Sequence, residues 1–170
     1  MFSTRSVPDE AVNLIPAGDR HAPFVEGEDG SIIVAGQHAL YVIKDGELAA
    51  SGMWYEVQYA TWKAQSRELT VIWTEPDWDP VLVVTREENP EKFMRVLTSR
   101  VDRALVVSRQ QVTPSGALLT ATVRRRVDNA LFSTVMCQGY LPPEEEILAR
   151  RLEDEVRAEV GLGPVGDGAR

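Results

Sequence analysis

The chain has 170 residues, of which 44% are hydrophobic and 26% charged, and its net charge is −8. This length and composition predict one globular domain that buries roughly 70% of the surface exposed by its unfolded chain. The overall acidity argues against general nucleic-acid binding. The single cysteine, Cys137, excludes an internal disulfide framework. The N-terminus has no apolar run typical of a signal peptide. No stretch approaches the roughly 20 apolar residues that a membrane-spanning helix needs. A cytoplasmic protein without membrane insertion is therefore expected.

Charge is unevenly distributed along the chain. Residues 1–90 carry 15 acidic and 6 basic groups, residues 91–140 carry 3 acidic and 8 basic, and residues 141–170 carry 8 acidic and 4 basic. Arginine outnumbers lysine 15 to 3. That bias fits a GC-rich genome as well as phosphate or carboxylate recognition. The basic middle segment is therefore the place where an anion-binding role must be weighed.

The first half of the chain predicts five strands after a leader. Residues 1–25 are interrupted by prolines and are expected to be only partly ordered. The five strands are predicted at Ser31–Ala35, Ala39–Lys44, Glu47–Trp62 with a bulge or bend at Ser51-Gly52, Glu68–Thr74 and Val81–Thr85. Asp45-Gly46 is a strong hairpin signal because both turn positions need positive φ. An acidic loop, Glu75–Pro80, precedes the fifth strand.

The second half predicts a helix, three strands and a second helix. Asn89 suits an N-cap and Pro90 the first helical position. Phe93, Val96, Leu97 and Val101 then form one apolar stripe of a helix that ends near Arg103. The later elements are predicted at Ala104–Val112, Ala117–Val127 and Ala130–Cys137 for the strands and Glu144–Val160 for the helix. Gly161 is expected to stop that helix, which leaves residues 161–170 as a flexible tail.

The order is therefore five strands, a helix, three strands and a helix. Hairpin-linked strands with only two helices predict an α+β fold, in which helices pack on one face or end of an antiparallel sheet of about eight strands. A single domain over residues 26–160 is expected.

The stretch Ala39–Thr85, followed by the helix at Pro90, resembles a bacterial pleckstrin-homology-like domain. The segments that carry the resemblance are Ala39–Ile43, Met53–Val57, Thr61-Trp62, Glu68–Trp73 and Pro90–Arg103. Over about residues 24–160 the chain also resembles small actinobacterial proteins that continue into a second meander and a C-terminal helix. The resemblance implies a pleckstrin-homology-like sheet or barrel and no particular activity. Because such a domain usually closes with its long helix, the last three strands either extend its sheets or form a second layer.

All four tryptophans fall between Trp54 and Trp78. Trp54 and Trp73 are expected in the core, where aromatic side chains bury large areas. Trp54 and Trp62 have the same parity on the third predicted strand and would share a face. Trp78, flanked by Asp77 and Asp79, is a candidate partner-binding residue, since aromatics are enriched at interfaces; an ordinary packing role is the alternative.

Three arginines of the basic segment are candidate anion-binding residues. If Val112 faces Ala117 across their hairpin, Arg109, Arg124 and Arg126 point to the same side. Such a patch could hold a phosphate, an anionic lipid head group or an acidic peptide. The alternative is that these arginines pair with the acidic N-terminal half or with the last helix.

No catalytic or metal-binding motif stands out. The chain lacks a nucleophile elbow, a Walker loop and a dinucleotide-binding glycine motif. His21, His38 and Cys137 do not form a spaced ligand set, so no metal or other cofactor is expected. Cys137 is predicted to be a small core residue rather than a nucleophile.

The sequence thus favours a non-enzymatic adaptor module that binds another protein. It does not decide whether that partner belongs to a membrane-associated complex or whether the chain forms a homo-oligomer. One alternative is a peripheral membrane module that contacts anionic lipid through Arg109, Arg124 and Arg126. Another is a small enzyme or ligand-binding protein with a pocket between sheet and helix.

Overall fold

The structure, a computed structural model, describes residues 5–166. The chain divides between Asp102 and Arg103 into two compact units, whereas the sequence predicts a single domain over residues 26–160. The described residues form an α+β fold, as predicted, with ten strands in three antiparallel sheets rather than about eight strands in one system. No helix among them is long and apolar enough to cross a membrane.

The first unit contains seven strands in two antiparallel sheets. The strands are β1 (Phe24–Glu26), β2 (Ile32–Ala35), β3 (Ala39–Lys44), β4 (Glu47–Met53), β5 (Val57–Lys63), β6 (Glu68–Trp73) and β7 (Val81–Val84). The first sheet has the order β1-β2-β3-β4 and the second β5-β6-β7. A single bridge between Gly27 and Thr85 links their segments, and the sheets do not close into a barrel.

One hydrophobic core lies between these sheets and a helix, α2 (Glu91–Ala104). Val25, Ile33, Leu40 and Val42 face it from the first sheet, Leu69, Val71, Trp73, Val81 and Val83 from the second, and Phe93, Leu97 and Val101 from α2. Buried residues alternate with half-buried ones in β6 and with exposed ones in β7, as the two-residue period of a strand requires. The predicted apolar stripe of α2 is confirmed.

The long strand predicted over Glu47–Trp62 is in fact two strands in different sheets. The chain leaves β4 through one turn of 3₁₀ helix at Trp54–Glu56 and enters β5. The Glu56 carboxylate accepts the Met53 backbone N–H at 2.7 Å, which stabilises this corner. Trp54 lies in that turn and Trp62 in β5, so the prediction that they share a strand face is wrong.

The N-terminal segment packs against the first sheet. Its short helix α1 (Asp9–Val12) brings Ala11 into a second apolar cluster with Val7 and Ile15. The sheet residues of this cluster are Phe24, Ile32, Val34 and Ile43. These side chains cover the outer face of the sheet, because they alternate with the residues that face the main core. The first four residues of the predicted leader lie outside the described chain.

The second unit is a three-stranded sheet covered by one helix. The strands β8 (Leu105–Val112), β9 (Leu118–Arg125) and β10 (Leu131–Gln138) have the order β10-β9-β8, and α3 covers Glu146–Glu159 after a 3₁₀ turn at Pro143–Glu145. Leu152 and Val156 of α3 pack on Leu119, Ala121 and Val123 of β9. The last three strands therefore form a sheet of their own.

Gly161 ends α3, as the sequence predicts. Its φ of 77° and the Leu162 N–H bond to the Arg157 carbonyl at 2.9 Å form a Schellman-type cap. Arg157 also donates to the Gly163 carbonyl, and the Val165 N–H donates to Asp154. The tail is thus tied back to the helix as far as residue 165, while residues 167–170 of the predicted tail lie outside the described chain.

We expect Leu97→Ala and Leu152→Ala each to lower the free energy of unfolding by about 2–5 kcal/mol, because both side chains are buried in a core. Urea denaturation measures both values. Thr98→Ala, on the exposed side of α2, is the control and should change stability by less than about 0.5 kcal/mol. Equal effects at positions 97 and 98 would contradict the packing described.

A second prediction concerns Glu145, whose carboxylate accepts the backbone N–H and hydroxyl of Ser115 at 3.0 and 2.6 Å. The hydrogen bond from the Ser115 side chain is the main cause that lowers the pKa of Glu145. The ionised Glu145 carboxylate should stabilise the folded state fully at pH values above the pKa of glutamate in the unfolded chain, about 4.3. This stabilisation should disappear as the pH falls through the lower pKa that Glu145 has in the folded state. Wild type should therefore exceed Glu145→Gln in stability at neutral pH, and the two should converge in acid. A difference independent of pH in urea titrations would contradict this.

Candidate interaction site

Trp78 lies in the acidic loop between β6 and β7, which comprises Glu75–Pro80 and is called the Trp78 loop below. The side chain of Trp78 is 42% exposed, whereas Trp54 and Trp73 are buried, as predicted. Trp62 is partly buried against the main core. Trp78 is therefore the most exposed of the four tryptophans.

The exposed ring has a fixed support beneath it. The indole N–H of Trp73 donates to the Asp79 carbonyl at 3.0 Å, which holds the second half of the loop. The Trp78 N–H donates to the Glu75 carbonyl at 3.2 Å and closes a turn in the first half. The Trp73 and Trp78 rings meet edge to face, with centroids 5.6 Å apart and an interplanar angle of 75°. Aromatic pairs of this kind contribute roughly 0.5–1.5 kcal/mol to stability, in addition to the contribution from the apolar area that they bury.

Trp73 is itself held by the opposite sheet. Its six-membered ring lies where a side chain at Gly52 of β4 would begin, so any Cβ at that position would overlap the indole. Gly52 is thus required by close packing rather than by an unusual φ. The bulge or bend predicted at Ser51-Gly52 is wrong: both residues pair regularly with β3, and the register of β3 and β4 shifts between Val42 and Ile43 instead.

The carboxylates of the Trp78 loop face solvent. Glu75, Asp77 and Asp79 are exposed, and none of them forms an ion pair within residues 5–166. Elsewhere in the first unit, carboxylates such as Glu28 and Glu87 are paired with arginines. The chain up to Asp102 has 17 acidic and 9 basic residues, while the remainder has 9 of each. The loop is therefore an acidic surface on an acidic unit.

The three candidate arginines do not form one exposed patch. Arg109 pairs with Ala121, and Arg124 is three residues further along the regular strand β9, so the two side chains leave opposite faces of the sheet. Arg109 forms an ion pair with Glu159 of α3 at 2.9 Å. Arg124 is only 2% exposed. Arg126 is exposed and stacks over Phe132, with its guanidinium carbon 5.2 Å from the ring centroid.

A one-residue change of register explains why the predicted arrangement is wrong. The β8–β9 loop closes at Thr113 and Ala117, whose backbone bond is 2.8 Å long, so Val112 pairs with Leu118 rather than with Ala117. Gly116 takes the positive φ of 88° that this three-residue loop needs. Since side chains alternate along a strand, that shift moves Arg109 to the other face from Arg124.

The other candidate chemical groups are scattered. Cys137 is exposed, which makes the core prediction for it wrong; its thiol lies 3.6 Å from the Gly139 carbonyl. The His21 ring bonds the Ser6 hydroxyl. In the described part of the chain, no group of three or more His, Cys, Asp or Glu residues is arranged to hold a metal ion.

One open cavity of about 320 Å³ lies where the N-terminal segment meets the start of α2. Its lining includes Arg5, His21, Phe24, Glu87, Lys92 and Phe93. Arg5 forms ion pairs with Glu26 at 2.5 Å and Glu87 at 2.7 Å and lies 4.6 Å from the Phe24 ring centroid. Arg5 and Glu87 of the lining are thus engaged with each other.

No protein-family model matches the chain, and neither a characterised protein nor a solved structure is significantly similar to it.

We predict that Gly52→Ala destabilises the protein by about 1–3 kcal/mol, because the added methyl group must displace Trp73. The displacement should also alter the environment of Trp78. Urea melts measure the first effect, and acrylamide quenching of tryptophan fluorescence measures the second. Gly18→Ala is the matched control, since an added methyl there meets no atom within 4 Å. Unchanged stability and quenching in Gly52→Ala would contradict this account.

Proposed function

We propose that the protein is a non-enzymatic adaptor that binds another protein through the Trp78 loop. The observation that carries this proposal is that Trp78 is both 42% exposed and held in place by Trp73. Tryptophan is among the residues that dominate interface energetics. A side chain that is ordered before binding loses less conformational entropy when the partner arrives.

The strand that follows the loop supports the same function. Leu82 of β7 is 65% exposed, and Val84 also faces solvent. Leu82 lies opposite Thr70, diagonally from Ile72, on the outer face of the second sheet. β7 is also an edge strand. Exposed apolar side chains beside a sheet edge are common features of protein-binding surfaces.

We further propose that the first unit is a pleckstrin-homology-like module. Its order of elements supports this, because a four-stranded and a three-stranded antiparallel sheet are followed by a helix that packs in their common core. The β8–β10 sheet and α3 then follow the module in the chain and are not part of it. Cytoplasmic location, and a partner within a membrane-associated complex, belong to the same proposal.

The cavity beside Arg5 favours one second candidate, a protein that binds a small ligand. Its case is weaker, because Arg5 already has two carboxylate partners. A lipid-binding role through the three arginines has less support than either, since Arg124 is buried and Arg109 forms an ion pair.

Site-specific photo-crosslinking in the native cells tests the adaptor function. With a photoreactive phenylalanine derivative at Leu82, we expect a discrete adduct with one protein, which mass spectrometry can identify. The same derivative at exposed Ile147 of α3 is the matched control and should not give that adduct. Trp78→Ala should reduce the yield from position 82 about 10-fold, as for an interface hot spot. An undiminished yield, or the same adduct from position 147, would argue against the proposal.

A further inference from the structure

We infer that the Trp78 loop recognises a cationic segment of its partner, with a lysine or arginine side chain over the indole and the loop carboxylates around it. This inference rests on the proposed function and specifies the chemistry of the partner. The first step in its support is ring geometry. Because the Trp73 and Trp78 rings meet edge to face, Trp73 covers at most one face of Trp78, a residue that is 42% exposed.

The second step is the use of arginine elsewhere in the chain. Arg5 lies over Phe24, Arg100 over Trp54 and Arg126 over Phe132, at 4.6, 5.8 and 5.2 Å from the ring centroids. In the part of the chain that the structure describes, no cation lies over Trp78. Tryptophan is the side chain that binds cations best through its ring face. Among residues 5–166, the exposed indole thus has no cation partner of the kind that Phe24, Trp54 and Phe132 have.

The third step is the charge around the ring. Glu75, Asp77 and Asp79 place three carboxylates within four residues of Trp78, without ion pairs inside residues 5–166. Carboxylates beside an aromatic face attract a cation and repel phosphate. A basic protein segment therefore fits the loop, whereas a nucleic acid or an anionic membrane does not. A second copy of the chain fits the loop less well, because its first unit is equally acidic.

A peptide-binding experiment with the full-length protein tests this inference. The probe is a short synthetic peptide in which lysine or arginine alternates with leucine, and its control has glutamate at every basic position. Calorimetry at low and physiological ionic strength measures affinity and its salt dependence. We expect the basic peptide to bind, more weakly as salt rises, and the acidic peptide not to bind.

Variants then locate the site. Trp78→Ala and the triple variant Glu75→Gln, Asp77→Asn, Asp79→Asn should each weaken binding about 10-fold. The matched control, Glu10→Gln, Asp45→Asn, Glu47→Gln, removes the same charge from exposed positions outside the loop and should change affinity less than about 2-fold. Because the triple variants alter only exposed polar atoms, circular dichroism should show wild-type folding. Equal losses in the two triple variants, equal binding of both peptides, or self-association without peptide binding would each overturn the inference.

The outcomes also separate this inference from the adaptor function. If the adduct at position 82 depends on Trp78 but the basic peptide does not bind, the adaptor function stands and the cationic partner is rejected. If the peptide binds through the loop but no adduct forms in cells, the chemistry of the loop stands and the adaptor function is rejected.

Discussion

The contact between Gly52 and Trp73 couples the interior of the first unit to its exposed surface. Trp73 of β6 occupies space that any side chain at position 52 of β4 would need, so the indole packs directly against the opposite sheet. The same indole holds the Asp79 carbonyl and supports the Trp78 ring. Because protein interiors are close-packed, a displacement of Trp73 cannot be absorbed locally. The position of the exposed tryptophan is therefore a consequence of core packing.

Arg100 shows that arginine in this protein serves structural purposes. Arg100 donates to the carbonyls of Ala35 and Gly36, where the Trp54 indole N–H also donates at 3.0 Å. The Asp19 carboxylate accepts the N–H of the next residue, Gln37, at 2.8 Å. The guanidinium suits such a junction because it presents several donors in a fixed plane. An excess of arginine over lysine is thus poor evidence for an anion-binding surface here.

Local signals in the sequence predicted the elements well, but tertiary constraints decided their arrangement. The Asp45-Gly46 hairpin follows from the turn itself, and both residues take positive φ. The apolar stripe of α2 also follows from residue spacing alone. The division at Trp54 does not, because it depends on how two sheets share one core. The register of β8 and β9 depends on a single residue in a loop, and this was enough to reverse the face of Arg109.

The sequence identified Trp78 as a candidate but could not decide its exposure, which depends on Trp73 and the Asp79 carbonyl. The magnitudes then limit what the loop can do alone. An exposed cation–π contact contributes about 0.5–1 kcal/mol, and each exposed ion pair at most about 1 kcal/mol. One cation–π contact and three ion pairs together would therefore contribute at most about 4 kcal/mol to the binding free energy. Micromolar affinity requires about 8 kcal/mol. The loop can select a cationic partner, but the remaining affinity must come from apolar contact. Leu82, four residues beyond Trp78 and 65% exposed, is the nearest large apolar side chain in sequence that can supply it.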